Sequence, residues 1–194
     1  MVVRGTKAYL FTGRPQLDFF DLITEKWGYV MTKMKSGRWP YEGNSLIDYT
    51  MQLADGKLFV FGGSHLGSWV GCNVLMALDL DTHDWQHLSG TSKPQADYSC
   101  PGPRIYSASW VVGDRLYIMY GMANRQAAQL HHQLHGADMD YPYDDMWSWS
   151  IPQKKWRNER MLGNPPCPRC ESACVCVFGF TLFSKLASLL HTEP

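Results

Sequence analysis

The amino-acid sequence predicts an all-β chain, an array of about three four-stranded antiparallel units with the start of a fourth. Two recurring phrases and one fixed spacing point there. The first phrase ends in tryptophan and occurs as Asp21-Leu22-Ile23-Thr24-Glu25-Lys26-Trp27, Asp79-Leu80-Asp81-Thr82-His83-Asp84-Trp85 and Ser150-Ile151-Pro152-Gln153-Lys154-Lys155-Trp156. Upstream of each lies an aromatic and β-branched run closed by glycine, at Gly13, Gly63 and Gly121. From Trp27 to Gly63 and from Trp85 to Gly121 the distance is 36 residues both times, while from Gly to Trp within a unit it grows from 14 to 22 to 35. A constant frame with one variable connection marks stacked units, none of which can bury its apolar face alone.

Within a unit the elements follow in order. The first strand follows a Pro-Arg element and in the third unit is expected from Pro103-Arg104-Ile105 through Trp110-Val111-Val112. Gly5-Thr6, Asp55-Gly56 and Gly113-Asp114 then supply residues that tolerate the positive φ of a hairpin turn. In the second strand, ending at the glycine, apolar residues are continuous rather than alternating, as for a strand covered on both faces. Only the second unit has a full pair, Gly62-Gly63, since Thr12 and Tyr120 precede Gly13 and Gly121. The third strand ends at Asp21-Leu22, Leu78-Asp79-Leu80 or Met146-Trp147-Ser148-Trp149. A short polar turn leads to the Trp that opens the fourth strand. Trp27, Trp85 and Trp156 are all expected to be largely buried as rigid spacers between facing sheets.

Composition agrees with many short strands and narrows the function. Formal net charge is zero, aromatics make up 13%, and there are 17 Gly and 11 Pro. No basic stripe marks a nucleic-acid site. Met1–Leu10 lacks a long apolar stretch and is not read as a signal peptide. The apolar run from Cys174 to Leu190 is interrupted by Lys185 and falls short of the roughly 20 residues of a membrane-spanning helix. Four of the six cysteines lie in the last thirty residues, unlike a secreted disulfide framework, so a cytoplasmic or nuclear location is expected.

The glycine-closed strand, the Asp-containing strand, the Trp about a turn later, and the Pro-Arg-x-x-Ser element of Pro103–Ser107 together resemble the kelch repeat. Tyr143-Asp144-Asp145-Met146-Trp147 is similar to the kelch stretch preceding the third strand, and the third unit resembles fungal kelch proteins most. The resemblance covers about residues 5 to 178, departing at Thr12, Tyr120 and Ser150. It implies blades of a β-propeller, placed near 5–36, 44–100 and 103–162, with a partial blade at 163–178 and a non-repeat tail at 179–194. It further implies a protein-binding scaffold or substrate adaptor. Superposing Pro168-Arg169 on Pro103-Arg104 puts the next glycine near Leu186, so the tail is expected to leave the repeat from Gly179 onward. Such an arc leaves blade edges open to self-association. A fragment, a truncated non-functional product and a faulty gene boundary are alternative origins.

Candidate sites are few. Cys167-x2-Cys170-x3-Cys174-x-Cys176 has thiolate spacing that suits tetrahedral zinc. The preferred reading is of small residues at ordinary repeat positions, because Cys167 and Cys170 flank a Pro-Arg element that other units carry without cysteine. Cys174 and Cys176 match the places of Ser109 and Val111. The insert from Met122 to Pro142 departs most from the repeat and exceeds the first unit's Gly-to-Trp spacing by 21 residues. Residues 124–136 fit a short helix that would align His131 with His135 at i, i+4, the spacing of a metal-binding pair. A solvated loop is the plainer reading. Loops of that length inside compact domains are usually functional or disordered. Arg125, His132, Asp138 and Tyr141 are therefore the first candidates to touch a protein partner, with Arg104 and Arg169 next. No nucleophile elbow, phosphate loop or nucleotide fingerprint is present, so no catalytic residue, cofactor or metal is expected. A galactose-oxidase-type propeller enzyme is the alternative, and nothing here matches its copper ligands residue by residue.

Overall fold

The computed structural model describes residues 1–41, 46–64, 72–93, 95–123, 141–168, 172–177 and 180–185, the last two stretches as backbone strands. Its elements among these residues are strands, and no helix occurs among them. The first blade is a four-stranded antiparallel sheet of β1 (Val2–Arg4), β2 (Lys7–Phe11), β3 (Gln16–Asp21) and β4 (Lys26–Met31), in that order. A short β5 (Lys33–Met34) leaves it and pairs in parallel with the outer strand of the second blade. That blade comprises β6 (Thr50–Ala54), β7 (Lys57–Phe61), β8 (Leu75–Asp79) and β9 (Asp84–Ser89). The third holds β10 (Ala108–Val112), β11 (Arg115–Met119), then β14 (Met146–Ser150) and β15 (Lys155–Glu159). Between β11 and β14 a two-residue ribbon, β12 (Met122–Ala123) with β13 (Tyr141–Pro142), closes the base of the insert.

The hairpin turns form where the sequence places them. Arg4 pairs with Lys7, Ala54 with Lys57 and Val112 with Arg115, leaving two-residue loops. Gly5, Asp55, Gly56 and Gly113 take the positive φ those tight connections need. The turn before each Trp is also one local machine repeated. Asp79 Oδ1 accepts the backbone N–H of Asp81 and Thr82, both at 3.0 Å, and Asp21 Oδ1 does the same for Ile23 and Thr24. Glu25, His83 and Lys154 then adopt left-handed φ at equivalent places. Ser150 replaces the Asp and keeps the turn, its hydroxyl receiving the Gln153 N–H at 3.4 Å.

Blade packing makes two successive apolar layers. Leu58, Val60, Met76, Leu78 and Trp85 of the second blade meet Phe11 and Leu17 of the first. Leu116, Ile118, Trp149 and Trp156 of the third meet Phe61, Leu75 and Ala77 of the second. Each Trp also donates a hydrogen bond to a hydroxyl of the preceding unit: Trp85 Nε1 to Thr32 Oγ1 at 2.8 Å, and Trp156 Nε1 to Ser89 Oγ at 3.0 Å. The indole is therefore the tongue of one blade seated against the next one back.

Three expectations need correction. Trp27 is 60% exposed, whereas Trp85 is 0% exposed. Its burial fails because the Trp-bearing side of a blade is covered by the preceding blade, and no sheet lies against that side of the first blade among the described residues. The first strand of the third unit begins at Ala108, not at Pro103, because Arg104 and Ile105 bridge instead to Cys72 and Met122 in neighbouring loops. Past residue 178, β16 (Ser172–Val177) continues its hairpin into β17 (Phe180–Lys185). Strand pairing there needs only the β-prone run Phe180-Thr181-Leu182-Phe183, not a glycine, so the strand extends into the stretch where the repeat motif fades.

Candidate functional site

The antiparallel order sorts the connections onto two ends of the array. Turns between first and second strands, and between third and fourth, fall at one end. The loops that follow the glycines, including the insert, fall at the other.

At the loop-bearing end, Arg104 organises the base of the insert. Its side chain is 0% exposed. Nη1 and Nη2 meet the two oxygens of Asp145 at 2.6 and 3.0 Å, Nε donates to the Gly102 carbonyl at 3.0 Å, and Nη1 donates to that of Tyr120 at 3.0 Å. Its face lies over the Tyr143 ring, 3.8 Å from the centroid. Asp145 Oδ2 also accepts the Trp147 indole N–H at 2.7 Å. Burial works against the charged guanidinium, and the Asp145 carboxylate outweighs it, holding the group above its ordinary pKa. A planar fork that satisfies a bidentate carboxylate and two carbonyls is a task lysine cannot perform.

The backbone ties this cluster to the second blade. The Arg104 N–H donates to Cys72 O at 3.0 Å, and Gly63 N–H donates to Arg104 O at 2.9 Å. Ile105 and Met122 exchange both backbone bonds, at 2.8 and 3.0 Å. Arg104 is thus spent on the fold and has no surface to offer a partner, which corrects its expected role in partner contact. The Pro-Arg element looked like a loop because its neighbours are polar and Pro-rich; the burial arises from Tyr143 and Asp145, some forty residues away in sequence.

Tyr141 is where the expectation and the described residues meet. It lies in β13, paired with Ala123, half-buried, with its ring 5.3 Å from Tyr143 in an edge-to-face pose. Partial burial and then the nearby carboxylates of Asp144 and Asp145 raise its pKa. Arg125, His132, Asp138 and Arg169 lie outside the described residues, as do residues 124–136 of the expected helix and Cys170. Cys167 is exposed, and Cys174 and Cys176 fall in β16, two residues apart. Among the described residues no group of three or more His, Cys, Asp or Glu could hold a metal ion. Cys72 and Cys100 are buried thiols, both pushed up to about 12 by burial and therefore poor nucleophiles.

The opposite end carries a feature that sequence reasoning missed. An open groove of about 550 Å³ runs between the hairpin turns of the second and third blades, with Asp55, Lys57, Asp114, Lys154, Ile151 and Pro152 on its walls. Each of these residues is an ordinary turn residue in sequence. Only the blade stacking brings them together, so no local signal could reveal them. Mixed charge over a small apolar floor suits a peptide segment and places no nucleophile beside a base.

The sequence pattern of the KLHDC2/KLHL20/DRC7 Kelch-repeats domain matches residues 1–184. The chain belongs to the kelch-repeat family. No curated protein matches it significantly. The kelch assignment agrees with the stacked four-stranded sheets, and the matched region takes in β17. The kelch diglycine is held here by a left-handed backbone rather than by glycine itself. Gly62 has φ +70°, and Tyr120, at the equivalent place in the third unit, has φ +58°. Domains of this family are in general non-enzymatic scaffolds for protein interaction.

Proposed function

We propose that this kelch array is a protein-binding adaptor module and not an enzyme, and that its partner meets the loop-bearing end around the insert of residues 122–142. The observation that carries the reading is the buried Arg104–Asp145 pair under the insert. A charge pair with four directed hydrogen bonds holds both ends of the connection, from Tyr120 through Tyr143, against the second blade. Such a mount gives a long loop a fixed base, the arrangement in which rigid scaffolds present recognition loops. Tyr141 stands at the junction of mount and loop, with the aromatic character that anchors many interfaces. The buried cysteines, masked by desolvation, supply no reactive thiol, and the described carboxylates pair with arginine or cap turns.

Quantitative pull-downs with the parent chain, a variant with residues 124–140 replaced by a short Gly-Ser linker, and Tyr141→Ala test it. The proteins retained by the parent are expected to fall at least tenfold with the linker variant, while its thermal midpoint stays near the parent's. Equal retention by parent and linker variant would remove the insert from recognition and leave the turn groove at Asp55 and Asp114 as the next surface.

A further inference from the structure

We propose that the open face of the first blade is a docking surface for a second copy of this chain, joined head to tail. That face carries Val3, Phe20, Trp27, Tyr29 and Met31. Trp27, Tyr29 and Met31 alternate along β4 and are 60%, 62% and 63% exposed, with Val3 at 54%. Phe20 lies beneath Trp27, their ring centroids 5.4 Å apart. Four large apolar side chains over half exposed on one sheet form the kind of contiguous patch that marks an interaction site in soluble proteins.

The chain itself shows what covers such a face. Counting from each glycine and each Trp, Phe20 and Trp27 occupy the places of Leu78 and Trp85 in the second blade, and of Trp149 and Trp156 in the third. Both of those faces are buried against the unit before them. Trp85 lies 4.9 Å from Phe11, and Trp156 lies 5.5 Å from Phe61, centroid to centroid. The open face is thus a third instance of an interface already made twice, and the matching surface is the forward side of a unit in the same series.

The other end of the chain offers that side. The innermost strands follow one another as β1 beside β6, β6 beside β10, and β10 beside β16. The β16–β17 hairpin therefore sits at the inner-strand place of a fourth unit, and β17 pairs with β16 alone among the described residues. The next place in the series lies beyond it, and a second copy has a complete first blade whose Trp face is open. Head-to-tail contacts of this kind close into a ring where the rotation allows and otherwise extend as a filament. The inference does not depend on the insert or its partner.

Sedimentation velocity of the full chain over a dilution series tests it, together with Tyr29→Glu and amide hydrogen exchange. The parent is expected to move from 22.2 kDa at high dilution to at least twice that mass as concentration rises. Tyr29→Glu is expected to stay at the single-chain mass with an unchanged thermal midpoint, since Tyr29 is exposed within one chain. Exchange in the parent is expected to slow with concentration at both residues 26–31 and residues 180–185. A parent that stays at 22.2 kDa throughout would overturn the proposal, as would concentration-dependent protection confined to residues 26–31. Should Tyr29→Glu fail to fold, the parent's exchange pattern still decides.

Discussion

A Cβ placed on Gly63 would lie 2.7 Å from the Ile47 carbonyl oxygen, and one on Gly121 would lie 2.7 Å from that of Ile105. Both glycines have φ near +90°, a region that L side chains rarely adopt. The obstacle is backbone held by ladder bonds, so it cannot swing aside as a side chain would. Gly63→Val is therefore expected to cost roughly 2–5 kcal/mol, combining left-handed strain with overpacking. Denaturant titration of the variant checks this, and a midpoint equal to the parent's would show the close approach to be slack. At Tyr120 the same repeat tolerates a large side chain. Its ring points away into the space beside Trp110 and Met119, and its hydroxyl donates to the Pro166 carbonyl. The residue scale also holds the main surprise. Arg104 reads as a loop cation in sequence and is the most enclosed charge among the described residues. What determines its role is Asp145, reached only when β14 folds back beside β11.

Turns before the tryptophans are the elements that the sequence specifies most completely. The Asp–x–x–Thr pattern contains its own hydrogen-bond partners, and the structure returns it unchanged in two units and with a serine in the third. Backbone N–H groups, from Thr24 and Ile23 in one turn and from Thr82 and Asp81 in the other, hold the Asp21 and Asp79 carboxylates below their ordinary 3.8. A depressed folded-state pKa means that the stabilisation is complete above the unfolded value and is lost as pH falls through the folded one. The thermal midpoint of the parent is thus expected to decline as pH drops below about 4. Asp79→Asn is expected to lower the midpoint at neutral pH and to flatten that acid decline, because the amide has no charge to lose. A differential scanning series from pH 7 to pH 2.5 measures both slopes. Parallel slopes would mean that the turn carboxylates contribute no pH dependence. The insert behaves differently as an element. Its ends are fixed by β12 and β13, while its expected contacts at Arg125, His132 and Asp138 lie beyond the described residues.

For the molecule as a whole, the fold was legible because repetition multiplies weak signals. One Gly–Trp phrase is ambiguous, and three at a constant 36-residue frame assign strands, turns and stacking direction together. The site was less legible. Arg104 and Tyr141 are polar or aromatic residues in loops by sequence, and only long-range packing separates the buried clamp from the half-buried anchor. The groove between Asp55 and Asp114 was invisible for the same reason, being assembled from turns of two blades. Trp27 failed its expectation because equivalence by sequence guarantees an equivalent place in the blade but not a neighbour to fill it. That difference gives the sharpest test of the interblade packing. In parallel denaturant titrations at a dilution where the chain is single, Trp85→Ala is expected to lose roughly 3–5 kcal/mol, the cost of a large cavity and an orphaned Thr32 hydroxyl. Trp27→Ala is expected to lose less than about 1 kcal/mol, as for an exposed substitution. Similar losses at the two positions would contradict a structure in which each blade seats its tryptophan against the blade before it.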